Sequence, residues 1–564
     1  MEALDWLVIG VFFLALIGII VWVVRQKQND SADYFLGGRD ATWLAIGASI
    51  FASNIGSEHL IGLAGAGASS GMAMAHWEIQ GWMILILGWV FVPFYTRSMV
   101  YTMPEFLERR YNPQSRTILS VISLVSYVLT KVAVTVYAGG LVFQQVFGIK
   151  ELWGIDFFWI AAIGLVVLTA LYTIFGGMKS VLYTSVLQTP ILLLGSLIIL
   201  VLGFKELGGW DEMMRVCGAV TVNDYGDTMT NLIRSNDDAN FPWLGALIGS
   251  AIIGFWYWCT DQFIVQRVLS GKNEMEARRG TIFGAYLKLL PVFLFLIPGM
   301  IAFALHQKYI GAGGEGFLPM LENGTANADA AFPTLVAKLL PAGVKGLVVC
   351  GILAALMSSL ASLFNSSAML FTIDFYKRFR PQTSEKKLVG IGQVATVVIV
   401  ILGILWIPIM RSVGDVLYTY LQDVQSVLAP GIAAAFLLGI CWKRTSAQGG
   451  MWGLISGMVI GLTRLGAKVY YSNAGEVADS TFKYLFYDMN WLFFCGWMFL
   501  FCIIVVIVVS VATEAPTAEK IQGLVFGTAT KEQKASTRAS WNHWDIIHTV
   551  IILAITGAFY WYFW

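Results

Sequence analysis

The sequence predicts an all-α polytopic membrane protein whose core consists of two five-helix repeats of opposite topology. The first observation is composition: of 564 residues, 57% are hydrophobic and 13% are charged, whereas a soluble domain carries roughly 25% charged residues. The second is length, because the apolar segments run for about 20 residues, as a helix crossing a bilayer requires. The third is that two of these segments, 42–69 and 242–266, are interrupted by polar residues.

The hydrophobic segments predict about fourteen spanning helices. They lie near 4–24, 42–69, 76–99, 117–147, 154–175, 178–203, 242–266, 281–306, 339–375, 387–410, 414–440, 447–465, 490–512 and 545–563. Alternate connections are rich in Lys and Arg, and such connections face the cytoplasm. We therefore expect a multi-pass protein of the cell membrane, with both termini outside.

The order of the spans predicts the inverted repeat. With the first helix set aside, spans two to six and seven to eleven form two groups of five, and an odd number of spans inverts the second group. The interrupted helix comes first in each group, which is the arrangement of folds with a binding site at the membrane midplane. The expected divisions are a leading helix and cytoplasmic linker at 1–41, a first repeat at 42–206, an outer loop at 207–241, a second repeat with an outer loop (307–338) at 242–440, and three peripheral helices at 441–564.

The first interruption is the polar run SNIGSEH at 53–59. Unwinding the helix at residues 52–55 would free backbone carbonyls, which suit a small hard cation. The alternative is a glycine-kinked helix that binds nothing. The ionisable residues Glu58 and His59 argue against it, because polar groups at bilayer depth are costly and usually line a cavity or bind a ligand.

The ninth span carries hydroxyl groups that could complete such a cation site. Ser358 and Ser359 follow Ala355 within a run of small residues. Their hydroxyl oxygens and the carbonyls of the first break together would form an oxygen cage. The alternative is that small residues here only allow helices to pack closely.

Other polar residues at membrane depth suggest a site for a neutral polyol. An unpaired lysine inside a span costs roughly 3 kcal/mol, so Lys288 requires a partner or a wet cavity. Glu78 and Gln422 add a carboxylate and an amide, and aromatic rings supply flat platforms. The alternative is an intramembrane salt-bridge network without a substrate. We interpret Lys131 and Asp374 as structural or interfacial. The aromatic candidates are Trp77, Tyr257, Trp258 and Tyr418.

Several classes of function are disfavoured. The net charge of +1 gives no basic field for nucleic acid. No GxxxxGK[ST] motif is present, so a nucleotide-driven pump lacks its phosphate loop. Glu78 and Lys288 could act as an acid and a base, but no nucleophile accompanies them, so the protein is not expected to be an enzyme. A transporter driven by an ion gradient is the interpretation that remains.

The motifs closely resemble those of the sodium/solute symporters, and most of all the sodium/glucose and sodium/galactose cotransporters. The resemblance extends over about residues 30–470. It rests on the segments DYFLGG (33–38), TMPEF (102–106), YTIFGGMKS (172–180), WYWCTDQFIVQR (256–267), YLKLLP (286–291), SSLASLFN (358–365) and CWKR (441–444).

The resemblance implies a LeuT-type fold and a set of functional residues. It implies that sodium, the coupling ion, is held by the carbonyls of Ala52, Ile55 and Ala355 and the hydroxyls of Ser358 and Ser359. It implies that a monosaccharide is bound by Asn54, His59, Glu78, Tyr257, Trp258, Lys288 and Gln422. Tyr257 would close the sugar from the inside, and the outer lid would be Leu63, Trp77 and Tyr418.

Two departures from the family pattern bear on the mechanism. Ser185 stands where sugar-transporting relatives usually have Asp, so the kinetics of ion release are open. Ala361 has no hydroxyl for a second ion beside Ser362, which predicts one sodium per sugar. The alternatives are symport of myo-inositol, proline or an organic acid, and a sugar-gated sensor that does not concentrate its ligand.

Overall fold

The structure is a computed structural model that describes the backbone of residues 1–26, 30–56, 58–321, 324–411, 417–473 and 479–564. The side chains of residues 129, 130, 145, 409–411, 417–421, 472 and 473 also lie outside the described part. The described chain is almost entirely helical, with one short hairpin of strands β1 (Glu151–Leu152) and β2 (Ile155–Asp156). The predicted all-α fold class is confirmed.

The helices of the first half run from α1 to α12. They are α1 (Ala3–Val24), α2 (Ser31–Leu36), α3 (Trp43–Asn54), α4 (Ala64–Ser70), α5 (Ala75–Glu78), α6 (Gly81–Ile86), α7 (Val92–Ser98), α8 (Met103–Arg110), α9 (Pro113–Ser126), α10 (Ala133–Phe147), α11 (Phe157–Leu207) and α12 (Trp210–Gly218). Wider π-helical turns join several of them, at Glu58–Leu63, Leu87–Phe91 and Tyr127–Val132.

The second half contains the remaining helices. They are α13 (Trp243–Gly254), α14 (Gln262–Leu269), α15 (Glu274–Lys288), α16 (Ile297–Gly311), α17 (Ala331–Leu339), α18 (Val344–Met369), α19 (Lys377–Phe379), α20 (Glu385–Arg411), α21 (Leu417–Cys441), α22 (Ala447–Asn473), α23 (Thr481–Lys483), α24 (Trp491–Ala512), α25 (Ala518–Ile521), α26 (Lys531–Ala539) and α27 (His543–Tyr562). Further π-helical turns lie at Phe255–Thr260, Val292–Leu296, Leu370–Tyr376 and Tyr484–Asp488.

Within the described residues, 10 helices are long and apolar enough to cross a membrane. The number is below fourteen partly because adjacent predicted spans join into one helical stretch. The 51 residues of α11 contain two predicted spans, and the stretch Glu58–Ser98 contains one and a half. Helical structure is present in all fourteen predicted segments.

The two spans within α11 meet at a glycine. Gly177 has φ 54° and ψ −149°, which is not helical. A Cβ atom there would lie 2.4 Å from the carbonyl oxygen of Tyr34, so only glycine fits this close approach. The glycine pair of the YTIFGGMKS motif therefore marks the sharp change of direction between the two spans.

Both predicted interruptions are present. The first helix continues to Asn54 and leaves helical geometry at Ile55, with φ −83° and ψ 107°. The expected unwinding at residues 52–55 was therefore placed too early, because Ser53 and Asn54 still belong to α3. The second interruption is Asp261, which is extended (φ −76°, ψ 127°) between the π-helical turn Phe255–Thr260 and α14.

The helices around these breaks form the core. The long helix α11 packs along α18, and α3 packs against α15 and also contacts α11 and α18. A second, smaller group joins α21, α22 and α24 around Val427, Phe494 and Cys502. The last helix, α27, packs on α6 and α15 instead. The breaks in α3 and before α14 thus lie among buried helices. The division into two repeats stays a prediction.

Candidate solute and sodium site

One polar cavity lies between the two helix breaks. The volume that the centres of water molecules can occupy in it is about 60 Å³, which is room for a few waters. Every residue that was predicted to bind the solute lines it: Asn54, His59, Glu78, Tyr257, Trp258, Lys288 and Gln422. Five separate parts of the sequence therefore converge on one polar cavity, although their role in binding stays a prediction.

The polar side of the cavity is a hydrogen-bonded chain around Glu78, whose side chain is almost fully buried. Lys288 donates to Glu78 Oε2 at 2.6 Å. His59 Nε2 lies 3.4 Å from the other oxygen, Oε1, and 3.1 Å from the amide nitrogen of Asn54. A lysine at this depth is tolerated because its charge is paired. These contacts link the first helix break to the third and eighth predicted spans.

Aromatic rings form much of the remaining wall. The ammonium of Lys288 lies 5.3 Å from the ring centroid of Trp258, within the range of a cation–π contact. The indole nitrogen of Trp258 donates to Gln80 Oε1 at 3.2 Å, and the Gln80 amide donates to the Ser250 carbonyl at 2.8 Å. Tyr257 is half-buried and packs edge-on to Trp258, with centroids 4.9 Å apart. Flat apolar faces thus stand beside charged groups.

Lys131, which was expected to be structural or interfacial, has structural contacts. Its side chain is buried, lines the cavity and lies 2.5 Å from Asp261 Oδ2. Tyr127 donates a hydrogen bond to the other oxygen of the same carboxylate. Asp261 also accepts from the backbone N–H of Phe263 and so caps α14. The pair of Lys131 and Asp261 is therefore an internal support of the second helix break.

Asp374 also has a structural role, as expected, since Arg116, Thr102 and Ser120 all bond to its carboxylate.

The predicted sodium ligands lie at the contact between α3 and α18. Ser359 donates from Oγ to the carbonyls of Ser53 at 2.9 Å and Ile55 at 3.2 Å. Ser358 Oγ is 3.4 Å from Ser185 Oγ on α11. The carbonyls in the last turn of a helix have no intrahelical donor, and Ala52 belongs to that turn of α3. Ala355 is buried one turn before Ser359.

The hydroxyl of Ser359 on α18 thus lies beside the carbonyl oxygens of Ser53 and Ile55 at the end of α3. Hard cations prefer such groups of oxygen ligands. The ligand set as a whole stays a prediction.

The predicted gate residues have different surroundings. Leu63 is fully buried but does not line the cavity, whereas Trp77 and Tyr257 do. Trp77 stacks on Trp491 of α24, with centroids 5.5 Å apart and planes 23° apart. The side chain of Tyr418 lies outside the described residues.

Several lining residues were not among the predicted solute ligands, although the sequence had already marked Glu58 as a residue of the first helix break that lines a cavity or binds a ligand. Gln80, Gln425 and Thr135 line the cavity, and Glu58 does so with a carboxylate. Gln425 lies three positions after Gln422, so helical periodicity could have placed both amides on one face. No comparable signal existed for Gln80, because the short helix α5 ends just before it.

A polar cavity at paired helix breaks of an all-α membrane protein is the architecture of a secondary transporter. The profile of the Sodium:solute symporter family matches residues 34–457. The chain belongs to the Sodium:solute symporter family.

Named relatives agree with this assignment. The sodium/myo-inositol cotransporter 2 of Homo sapiens is 36% identical over 542 residues, which are 94% of this chain and 79% of the relative. The sodium/glucose cotransporter 4 of Danio rerio is 35% identical over 560 residues, 96% of this chain and 84% of the relative.

A solved structure of a Na⁺-coupled sialic acid symporter, substrate-bound and outward-open, has a TM-score of 0.72 and covers 92% of this chain and 99% of its own. At 22% identity it shows the shared fold.

The family fixes the general activity. The protein is a multi-pass membrane transporter, not an enzyme, and it couples the movement of a solute to sodium. The predicted family and coupling ion are confirmed.

Proposed function

We propose that this symporter imports a neutral hexose such as glucose or galactose, with one sodium per sugar, across the cell membrane. The observation that carries the proposal is the cavity in which Glu78, Lys288, Asn54 and His59 form one polar wall beside Trp258. We also propose that both termini face outside, as the basic connections predict.

The chemistry of the wall suits a ring of hydroxyl groups. Each sugar hydroxyl can both donate and accept a hydrogen bond, and the wall offers a carboxylate, an ammonium and amides for directional bonds. Trp258 and Tyr257 offer faces against which the apolar side of a pyranose ring can pack. Because Glu78 at 2.6 Å neutralises the ammonium of Lys288 and Asp261 neutralises that of Lys131, the described part of the cavity presents no unpaired ammonium to an organic acid.

The proposed mechanism is alternating access. Sodium bridges the carbonyls of Ala52, Ile55 and Ala355 and the hydroxyls of Ser358 and Ser359, and so favours the state in which the cavity opens outward. The sugar then binds, and Leu63, Trp77 and Tyr418 close over it. Tyr257 moves aside when the cavity opens inward. Coupling requires that each ligand strengthens the binding of the other.

One sodium supplies enough free energy for concentrative uptake. At about 100 mV, one charge contributes roughly 2.3 kcal/mol. A tenfold sodium gradient adds about 1.4 kcal/mol. The sum of roughly 3.7 kcal/mol supports an accumulation of about 500-fold.

A second candidate substrate is myo-inositol. Relatives at 36% and 37% identity are named sodium/myo-inositol cotransporters. This cyclic polyol offers hydroxyls around its ring as a hexose does, so the same wall of carboxylate, ammonium and amide would suit it.

Competition for uptake distinguishes these substrates. Purified protein in proteoliposomes is supplied with labelled glucose under an inward sodium gradient, and excess galactose, myo-inositol, proline or lactate is added in turn. We expect the hexose to compete most strongly. Stronger competition by myo-inositol would assign the second candidate. Competition by proline or lactate alone would contradict both, and a sodium current triggered by glucose without glucose uptake would identify a sensor.

A further inference from the structure

Glu58 is a carboxylate in the cavity wall without a lysine or arginine partner among the described residues. Its side chain is 16% exposed, and its ion-pair contact among the described residues is with His59, whose Nδ1 lies 3.8 Å from Oε1. The other oxygen, Oε2, is buried and accepts no hydrogen bond from the described residues. Leaving a buried carboxylate oxygen without a donor is costly. A ligand that donates to this oxygen would remove the cost.

The remaining charges of the cavity are in pairs. Lys288 neutralises Glu78 at 2.6 Å, and Lys131 neutralises Asp261 at 2.5 Å. Among the charged side chains that line the cavity, Glu58 is therefore the one that has no lysine or arginine partner in the described part of the chain.

A second acceptor also lacks a donor, because Gln422 Oε1 is buried without a partner in the described part of the chain. The cavity thus holds two acceptor oxygens that await donors. Hydroxyl groups can supply these donors, whereas a carboxylate can only accept.

We infer that Glu58 is a substrate-contacting and specificity-determining residue, whose Oε2 accepts a hydrogen bond from a solute hydroxyl and whose charge excludes solutes that carry a carboxylate. The inference rests on the proposed function and deepens it. It limits the solute class to neutral polyols and to polyols bearing an ammonium group, such as a 2-amino-hexose. A hexuronate of the same ring size is excluded by like-charge repulsion and by its lack of a donor at that end.

A purely structural role for Glu58 makes different predictions. Its carboxylate folds over Gly56, where an added Cβ would lie 2.3 Å from Oε2. If Glu58 only supports this bend, its substitution lowers thermal stability but leaves the choice among solutes unchanged. If it instead holds a cation, the substitution changes the half-saturating sodium concentration and not the KM for the solute.

The experiment measures sodium-driven uptake by wild type and Glu58→Gln in proteoliposomes. Asp479→Asn serves as the matched control, because Asp479 is an exposed carboxylate outside the cavity. For the neutral polyol that the wild type transports, we expect KM to rise about fivefold in Glu58→Gln, the difference between a charged and a neutral acceptor. Hexuronate should not inhibit the wild type but should inhibit the variant.

Selectivity of the wild type is measured separately, so the inference can fail even if the variant does not fold. Inhibition of wild-type uptake by hexuronate as strong as that by the parent hexose contradicts it. An unchanged KM together with unchanged selectivity in Glu58→Gln contradicts it as well. A change in the half-saturating sodium concentration of Glu58→Gln, without a change in KM or in selectivity, also contradicts the inference. Failure of the wild type to transport any neutral polyol contradicts the proposed function and, with it, this inference.

Discussion

The ammonium of Lys131 lies 2.5 Å from the carboxylate of Asp261 and 4.7 Å from the ring centroid of Tyr257. Lys131 belongs to the π-helical turn Tyr127–Val132, and Asp261 forms the second helix break. The pair therefore joins one predicted repeat to the other directly beside the proposed inner gate. In the proposed mechanism Tyr257 moves while it is in contact with this ion pair.

Breaking the pair on one side should destabilise the protein. Lys131→Met leaves Asp261 buried without its cation, and loss of one partner of a buried pair costs about 3–5 kcal/mol. We expect a clear fall in the thermal unfolding temperature in detergent. The double variant with Asp261→Asn should recover part of the loss, because the orphaned charge is gone. Lys483→Met is the control, since its ion pair with Asp479 is on the surface and contributes little. Equal stability of Lys131→Met and the control would contradict this account.

Gln422→Ala should strongly reduce uptake without lowering the stability of the protein. The Oε1 atom of Gln422 has no partner among the described residues, so its loss leaves no protein donor unpaired. We expect kcat/KM for sugar to fall by about ten- to a hundredfold, as loss of a solute hydrogen bond implies. Gln393→Ala is the control, because that amide donates to the Ile174 carbonyl outside the cavity. Near-normal uptake by Gln422→Ala would remove this residue from the proposed site.

Ser359→Ala should weaken sodium binding in particular. The hydroxyl of Ser359 reaches the carbonyls of Ser53 and Ile55. We expect the half-saturating sodium concentration to rise about tenfold, the effect of losing one good ligand. At low sodium the KM for sugar should also rise, because the coupling is reciprocal. Ser456→Ala, whose hydroxyl bonds within α22, is the control. An unchanged sodium dependence would show that sodium is bound elsewhere.

The hydroxyl groups that α18 presents to α3 predict how many sodium ions move with each sugar. Ser362 already bonds to the hydroxyl of Ser53 at 2.7 Å, and its neighbour Ala361 has none. We expect one charge to move per sugar when the reversal potential is measured at several sugar gradients. A ratio of two would show that a second sodium site exists.

Much of the fold and of the cavity could be predicted from the sequence. Polar residues at membrane depth are costly, so the runs around Asn54 and Asp261 reveal the two helix breaks without any structure. The same argument indicates Glu78 and Lys288 as partners, because neither is tolerated alone in a span. The exact end of α3 was not predicted, because the carbonyl of Ser53 accepts a hydrogen bond from Ser359, which lies 306 positions away in the sequence, and no local signal reveals this contact.

What could not be predicted depends on packing between distant segments. Lys131 and Asp261 are 130 positions apart, and nothing in either segment indicates that they pair. The same is true of Trp77, which stacks on Trp491 of a helix that was expected to be peripheral.

Uptake of labelled glucose and galactose into proteoliposomes tests the central claim most directly. An inward sodium gradient is compared with the same gradient of potassium, at equal membrane potential. The account predicts accumulation above equilibrium with sodium and only slow equilibration with potassium, and Gln422→Ala should slow the accumulation by about ten- to a hundredfold at low sugar concentration. Intact protein that never concentrates either sugar with sodium, or concentrates them equally with potassium, would contradict sodium-coupled hexose import.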